Sequence, residues 1–307
     1  MWLNYGVNSD SILISIEDVP SGKIDLFCPY CGGQLVAKKG KIKQHHFAHL
    51  DATCQVVVTK KELPTLPLYD NFNIQLSGKA LKLLQQLWQS CRQNNWEIPM
   101  SPDLKPLLQA RVLQRKFNKH PIICEFTELG KIPVGALPLK EFNYLQEYLI
   151  LQKLSHFEQQ VERSQLINSA KLAEQLIDLR LYRAQLKRIL VHQLYYLEIN
   201  ADGKCFNKIG VTQRTVEERM AEVERDLRSH FRSYKLKVLG VWQHRGNVEL
   251  YFKHRYKLYN YRIGSLTEYY EFDSPEIASA VFNDLNSMEP KELTPVELAV
   301  LEEIEAS

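Results

Sequence analysis

The sequence predicts an α+β protein in three parts: a zinc-ribbon-like module (residues 1–62), a mostly helical segment (63–192) and a small mixed domain (193–307). In the third part we expect a sheet led by a β-hairpin and flanked by helices, with an acidic helix at its end. Short apolar runs that end at proline or glycine, typical of strands, occur in the first and third parts. Residues 139–192 lack proline and glycine, and their apolar residues recur every three or four positions, which predicts helix.

The composition is that of a globular protein. Hydrophobic residues make up 45% of the 307 residues, enough for packed cores in about two domains. There is no apolar run of about 18 residues, and the first residues lack the features of a secretory signal. We therefore expect a cytoplasmic protein that does not bind membranes. Six cysteines are too few for a disulfide scaffold of this length.

Charge is distributed unevenly along the chain. Residues 273–307 contain one lysine and nine acidic residues, a net charge of −8; because the whole chain carries +3, residues 1–272 carry +11. A basic body is compatible with a polyanionic partner such as nucleic acid. A solvated acidic helix explains the tail equally well.

The N-terminal part contains zinc-ligand residues at suitable spacing. Cys28 and Cys31 form a Cys-x-x-Cys motif followed by two glycines, which let backbone amides turn towards thiolate sulfurs. With His49 and Cys54 they supply four ligands for tetrahedral, structural zinc. His46 is the alternative to Cys54, because it forms a second pair with His49. A redox motif is disfavoured, since the glycines oppose the helix that such a motif opens.

The segment from Cys28 to Cys54 resembles the N-terminal module of CoiA-type competence proteins. It shares their Cys-Pro-x-Cys-Gly start and their His-Phe-Ala-His core, which is residues 46–49 here. The resemblance implies a zinc module alone, because we find no sign of the nuclease domain that follows in that family.

The middle part, residues 63–192, is predicted to be mostly helical, and its sequence shows no catalytic group. The unbroken stretch of about fifty residues is longer than an ordinary helix of a globular protein. Two arrangements remain open: a helical hairpin that bends near Ser164–Ser169, or a long coiled-coil stalk. Residues 139–192 would act as a spacer or as the seam of a homodimer.

The third part contains four motifs in order. Tyr195-Tyr196-Leu197 predicts a strand, and a turn followed by Lys208-Ile209-Gly210 makes it a hairpin. Strand alternation places only one of the two tyrosines on a given face. Residues 215–218 read Thr-x-x-Glu, a capping box, so Arg219 lies in the first turns of the next helix. Glu249 opens a further helix after a loop.

This order resembles the GIY-YIG nuclease superfamily, in the branch whose second motif reads Lys-Ile-Gly. The resemblance implies in-line attack of water on a phosphodiester, with one Mg²⁺ or Mn²⁺ bound by Glu249. Tyr195 would take the proton, as tyrosinate or through water, and Tyr196 replaces it if the register is shifted by one. Lys208 would contact phosphate, and Arg219 would stabilise transition-state charge through its two parallel donors.

The sequence departs from the family pattern one turn after Glu249. Lys253 stands where a histidine is usual, and His254 lies about 100° further round the helix. The segment Thr267–Phe272 resembles the strand that closes the family domain.

A stretch of basic and aromatic residues supports a DNA partner, because cations contact phosphates and aromatic rings stack on bases. We therefore predict a metal-dependent DNA endonuclease. The alternative is a non-catalytic DNA- or RNA-binding protein that retains the nuclease fold, and Lys253 favours it. The predicted nucleic-acid contacts are Arg214, Arg232, Lys235, Lys253, Arg255 and Lys257.

Overall fold

A computed structural model describes residues 3–40, 44–60, 63–91, 97–118, 121–264 and 266–303. The α+β class is confirmed, with an N-terminal antiparallel sheet, a helical middle and a C-terminal sheet with helices. The predicted boundary at residue 62 lies outside the described residues, and the three-part division stays a prediction. The chain forms two compact units: Met1–Pro67, Tyr148–Arg188 and Leu293–Ser307; and Leu68–Glu147 with Ile189–Glu292.

The N-terminal sheet has the strand order β2-β1-β3-β4-β5, and all its strands are antiparallel. Alternation along β4 buries Leu35 and Ala37, which pack with Leu26 and Phe47 into the core of the module. The elements are β1 (Tyr5–Val7), β2 (Leu13–Ser15), β3 (Gly22–Phe27), β4 (Gln34–Lys38), β5 (His46–His49) and helix α1 (Gln55–Thr59).

A three-stranded sheet of order β6-β8-β7 follows, which the sequence did not reveal. Its strands have two to four residues, too few for a periodic signal. The elements here are α2 (Gly78–Cys91), β6 (Ile98–Pro99), α3 (Lys105–Gln109), β7 (Leu113–Lys116), β8 (Ile123–Phe126) and α4 (Glu128–Lys131).

Two long helices follow, α5 (Leu139–Leu166) and α6 (Leu172–Val191), which break where the sequence predicted a bend. Between them Asn168 has a φ of 48°. The Tyr182 hydroxyl on α6 donates to the Ile150 carbonyl on α5 at 2.9 Å, so the two helices form the hairpin and not the stalk. Homodimerisation through residues 139–192 stays a prediction. No helix in the described part of the chain is long and apolar enough to cross a membrane.

The C-terminal sheet has the order β11-β9-β10-β13-β12, again antiparallel. The predicted hairpin is β9 and β10, joined through Asp202 and Gly203, whose φ angles of 46° and 81° suit a tight turn. The elements are β9 (Gln193–Ala201), β10 (Lys204–Thr212), α7 (Val216–Arg228), β11 (Tyr234–Trp242), α8 (Val248–Arg255), β12 (Asn260–Ile263) and β13 (Leu266–Tyr270).

The central strand β9 is covered on both faces. Tyr195 belongs to the apolar cluster that contains Val223 of α7, whereas Tyr196 belongs to the cluster that contains Phe252 of α8. Both tyrosines are fully buried, and only Tyr195 faces α7. The chain continues with α9 (Pro275–Asn286) and the acidic α10 (Pro295–Glu302).

Candidate functional site

The first candidate site is a metal centre in the N-terminal module. The ligand atoms of Cys28, Cys31, His49 and Cys54 all lie within 4.8 Å of one another. The two cysteines of the motif lie in the turn between β3 and β4, His49 ends β5, and Cys54 directly precedes α1. His46 is not in this group, and its Nδ1 lies 2.9 Å from the Gln44 carbonyl oxygen.

The glycines of the turn make this approach possible. Gly32 has a φ of 70°, a conformation that favours glycine. The backbone N–H of Gly33 donates to the Cys31 sulfur at 3.3 Å, and a side chain on Gly33 would come within 3.4 Å of both Cys31 and His49. A backbone amide of the turn therefore points towards a motif sulfur, as the sequence predicts.

The donor set fits zinc. The three cysteines are free of disulfides, and Cys31 Sγ lies 3.4 Å from His49 Nε2. Burial raises the pKa of the Cys28 thiol to about 12 and lowers the pKa of His49. A bound divalent cation would lower the pKa of Cys28 again, because it binds the thiolate form. The lowered pKa of His49 favours the neutral imidazole, which is the form of histidine that binds metals.

Contacts that the sequence did not reveal fix this module on α6. The Tyr30 hydroxyl, between the two motif cysteines, donates to Asp178 Oδ1 at 2.6 Å. Lys60, just after α1, pairs with Asp178 and with Glu174, and its ammonium lies 5.1 Å from the centre of the Tyr30 ring. Both ends of the segment that supplies the four ligands therefore contact one helix.

The second candidate site lies on the C-terminal sheet, where three motifs meet at one hydroxyl. Tyr195 and Gly210 are opposite each other in the β9–β10 pair. A Cβ on Gly210 would lie 2.3 Å from the Tyr195 hydroxyl oxygen, so the ring occupies the space that glycine leaves. Arg219 Nε donates to the same hydroxyl at 3.1 Å. The observed capping box of Thr215 and Glu218 starts α7 at the point that allows this contact.

The electrostatics around Tyr195 favour a neutral phenol. Burial raises the pKa of Tyr195, and the opposing effect of Arg219 is smaller. Glu222, which the sequence did not single out, accepts hydrogen bonds from Arg219 and, at 2.6 Å, from Arg214. Both arginines lower its pKa, so Glu222 is a carboxylate that holds the Arg219 guanidinium in place.

A network of four charged side chains lies beside this contact. Lys208 Nζ on β10 lies 2.8 Å from Glu268 Oε2, and Lys253 Nζ on α8 lies 2.8 Å from Glu268 Oε1. Lys253 also pairs with Glu249 at 3.1 Å. The side chain of Lys208 is 5% exposed, with its ammonium 4.9 Å from the centre of the Tyr269 ring. Two ammonium groups thus neutralise two carboxylates.

The pKa shifts in this network follow from burial and pairing. Burial raises the pKa of Glu249, against the smaller effect of Lys253. For Glu268 burial also opposes charge, but Lys208 and Lys253 together outweigh it and lower the pKa to about 2. Burial lowers the pKa of Lys208. Glu268 is therefore the firmly ionised carboxylate and Glu249 the more readily protonated one.

Two of the remaining residues, His254 and Arg255, contact other parts of the fold. His254 Nε2 is 3.0 Å from the Ile132 carbonyl oxygen and its ring stacks on Phe72, so Lys253 and not His254 reaches the network. Arg255 donates to Asp284 and to the carbonyl oxygens of residues 135 and 137. The other predicted nucleic-acid contacts are exposed: Arg214, Arg232, Lys235 and Lys257.

Comparison with known proteins concerns the first site. Residues 16–57 match the family described as Competence protein CoiA, N-terminal domain. This confirms the CoiA-like module, and the four-residue cluster inside it is consistent with structural zinc. No curated protein and no solved structure matches the chain.

Proposed function

We propose that the chain is a metal-dependent endonuclease that hydrolyses DNA phosphodiester bonds at a GIY-YIG-like site on the C-terminal sheet. The observation that carries this proposal is the contact of Tyr195 with Gly210 and Arg219. These residues come from two strands and a helix. The family resemblance assigns Tyr195 and Arg219 to one active site, and Gly210 belongs to its second motif. In this proposal the N-terminal zinc has a structural role.

The charged residues suit a phosphodiester. Arg219 offers parallel donors to phosphate oxygens and keeps its charge at any working pH. Glu222 and the Tyr195 hydroxyl fix its guanidinium from two sides, which reduces the entropy lost when phosphate binds. Lys208 adds a second, buried cation on β10, paired with Glu268. Burial favours the protonated phenol of Tyr195, which cannot itself accept a proton. Tyr195 would therefore act as the base only as tyrosinate, after its own proton has passed to solvent, and the Arg219 guanidinium favours that charged form.

Glu249 would hold the catalytic metal. Its carboxylate is largely buried, 13% exposed, and Mg²⁺ needs few protein oxygens because it keeps several waters. A bound Mg²⁺ or Mn²⁺ would supply charge stabilisation for the leaving oxygen. The exposed cations Arg232, just before β11, and Lys235, the second residue of β11, would contact the DNA backbone.

The second candidate is a non-catalytic nucleic-acid-binding protein with the same fold. It is favoured by the Lys253 ammonium, which pairs with both carboxylates of the network. In such a protein the ion pairs of the network would only stabilise the fold, and the arginines would bind phosphate without cleavage.

We expect Glu249→Ala to abolish cleavage of supercoiled plasmid in Mg²⁺ and to leave DNA affinity unchanged or slightly higher. The reason is that the substitution removes the metal ligand and one negative charge while the surface cations remain. The measurement pairs a nicking assay with a binding titration at one salt concentration. Glu217→Ala, an exposed glutamate of α7, is the matched control and should cut normally. Wild-type cleavage by Glu249→Ala would refute the assignment.

A further inference from the structure

One ammonium group joins the two carboxylates of the network. Lys253 Nζ lies 3.1 Å from Glu249 Oε1 and 2.8 Å from Glu268 Oε1. We infer that Lys253 occupies the cation position between Glu249 and Glu268, and that a divalent metal binds there by displacing it, with Glu268 as its second protein carboxylate. This inference rests on the proposed function for the role of Glu249.

The geometry allows the exchange. Mg²⁺ lies about 2.1 Å from its oxygen ligands, so the contact of Glu249 would shorten from 3.1 Å by about 1.0 Å and that of Glu268 from 2.8 Å by about 0.7 Å. Lys253 has a flexible four-carbon stem, and its side chain is 29% exposed, so the ammonium has a path to solvent. Glu268 stays oriented during the exchange, because its other oxygen binds Lys208 at 2.8 Å.

Charge makes the exchange necessary. The charges of the four side chains already sum to zero. A divalent ion beside the Lys253 ammonium would therefore be strongly repelled in this desolvated site. When Lys253 withdraws, two charges from the metal and one from Lys208 face two carboxylates. The net charge of +1 then suits one phosphodiester anion. Lys253 therefore raises the metal concentration at which the site fills. A bound phosphodiester anion lowers that concentration again.

The test is a titration of Mn²⁺ into zinc-loaded protein without DNA, with free Mn²⁺ read by electron paramagnetic resonance. Soft thiolate ligands bind Mn²⁺ poorly, so the N-terminal site does not interfere. We expect Lys253→Met to bind Mn²⁺ about tenfold more tightly than the wild type, because it removes the competing charge. Lys79→Met, at an exposed lysine of α2, is the matched control and should bind as the wild type does.

A double variant tests the second ligand. Adding Glu268→Gln to Lys253→Met should return the affinity towards the wild-type value. If Lys253→Met folds poorly, Lys253→Gln keeps a hydrogen-bond donor without the charge and should also bind Mn²⁺ more tightly. The inference is wrong if neither neutral variant gains affinity, or if Glu268→Gln has no effect in the double variant.

The titration separates this inference from the proposed function. If Glu249→Ala loses Mn²⁺ binding while Lys253→Met gains none, the competition is refuted and the metal role of Glu249 stands. If Glu249→Ala binds Mn²⁺ as tightly as the wild type, the shared assignment of Glu249 is wrong and the inference falls with it.

Discussion

Arg219→Ala is expected to lower the single-turnover rate of DNA cleavage by about 10²–10³-fold at saturating protein, with little change in affinity. The guanidinium would stabilise charge that develops only in the transition state, so its loss affects rate more than binding. The structure strengthens this expectation, because Arg219 contacts Tyr195 and is held by Glu222 in one orientation. The measurement is single-turnover kinetics beside a binding isotherm at several salt concentrations.

Arg225→Ala is the matched control for this variant. Arg225 is an exposed arginine of the same helix, so its loss tests only the general effect of one positive charge. A residue that makes an ordinary phosphate contact lowers affinity and reduces the salt dependence by about one unit of slope. If Arg219→Ala behaves in that way and keeps the wild-type rate at saturation, Arg219 is a binding residue and the catalytic role is wrong.

Cys28→Ser is expected to remove the zinc and unfold the N-terminal module while the C-terminal sheet stays folded. Structural zinc sites contribute on the order of 10 kcal/mol or more to the folding of small modules, and the loss of one thiolate forfeits much of this. Metal analysis should find one zinc per wild-type chain and little in the variant. Hydrogen exchange should accelerate in β4, at Leu35 and Ala37, and stay slow in β9.

Cys205→Ser is the control for this experiment, since Cys205 is an exposed thiol outside the metal cluster. It should keep one zinc and the wild-type exchange pattern. A Cys28→Ser chain that keeps a full zinc complement and slow exchange in β4 would contradict the ligand assignment. Wild-type protein that carries a Cys28–Cys31 disulfide and no zinc would contradict it equally.

The parts that local patterns determine could be predicted from the sequence. The cluster of Cys28, Cys31, His49 and Cys54 follows from the spacing of residue types, and the turn glycines supported its prediction. The hairpin of β9 and β10 follows from two strand-like runs around Asp202 and Gly203, and the capping box located the start of α7. In each case the signal lies within a few residues of the feature.

The partners of charged groups could not be predicted in this way. Glu268 joins Lys208 across 60 residues of sequence, and Tyr30 joins Asp178 across 148. Such contacts depend on how helices pack on sheets, which residue type and spacing do not encode. Arg255 illustrates the same limit. Its charge indicated a phosphate contact, whereas the folded chain directs its guanidinium to Asp284 and to backbone carbonyls.

The most direct test of the central claim is nicking of supercoiled plasmid by the zinc-loaded wild-type chain. The proposed site predicts conversion to the open-circular form in Mg²⁺ or Mn²⁺ and its suppression by Arg219→Ala. Protein that saturates the plasmid in a binding assay, yet leaves it fully supercoiled in both metals, would contradict the claim and favour the non-catalytic nucleic-acid-binding protein.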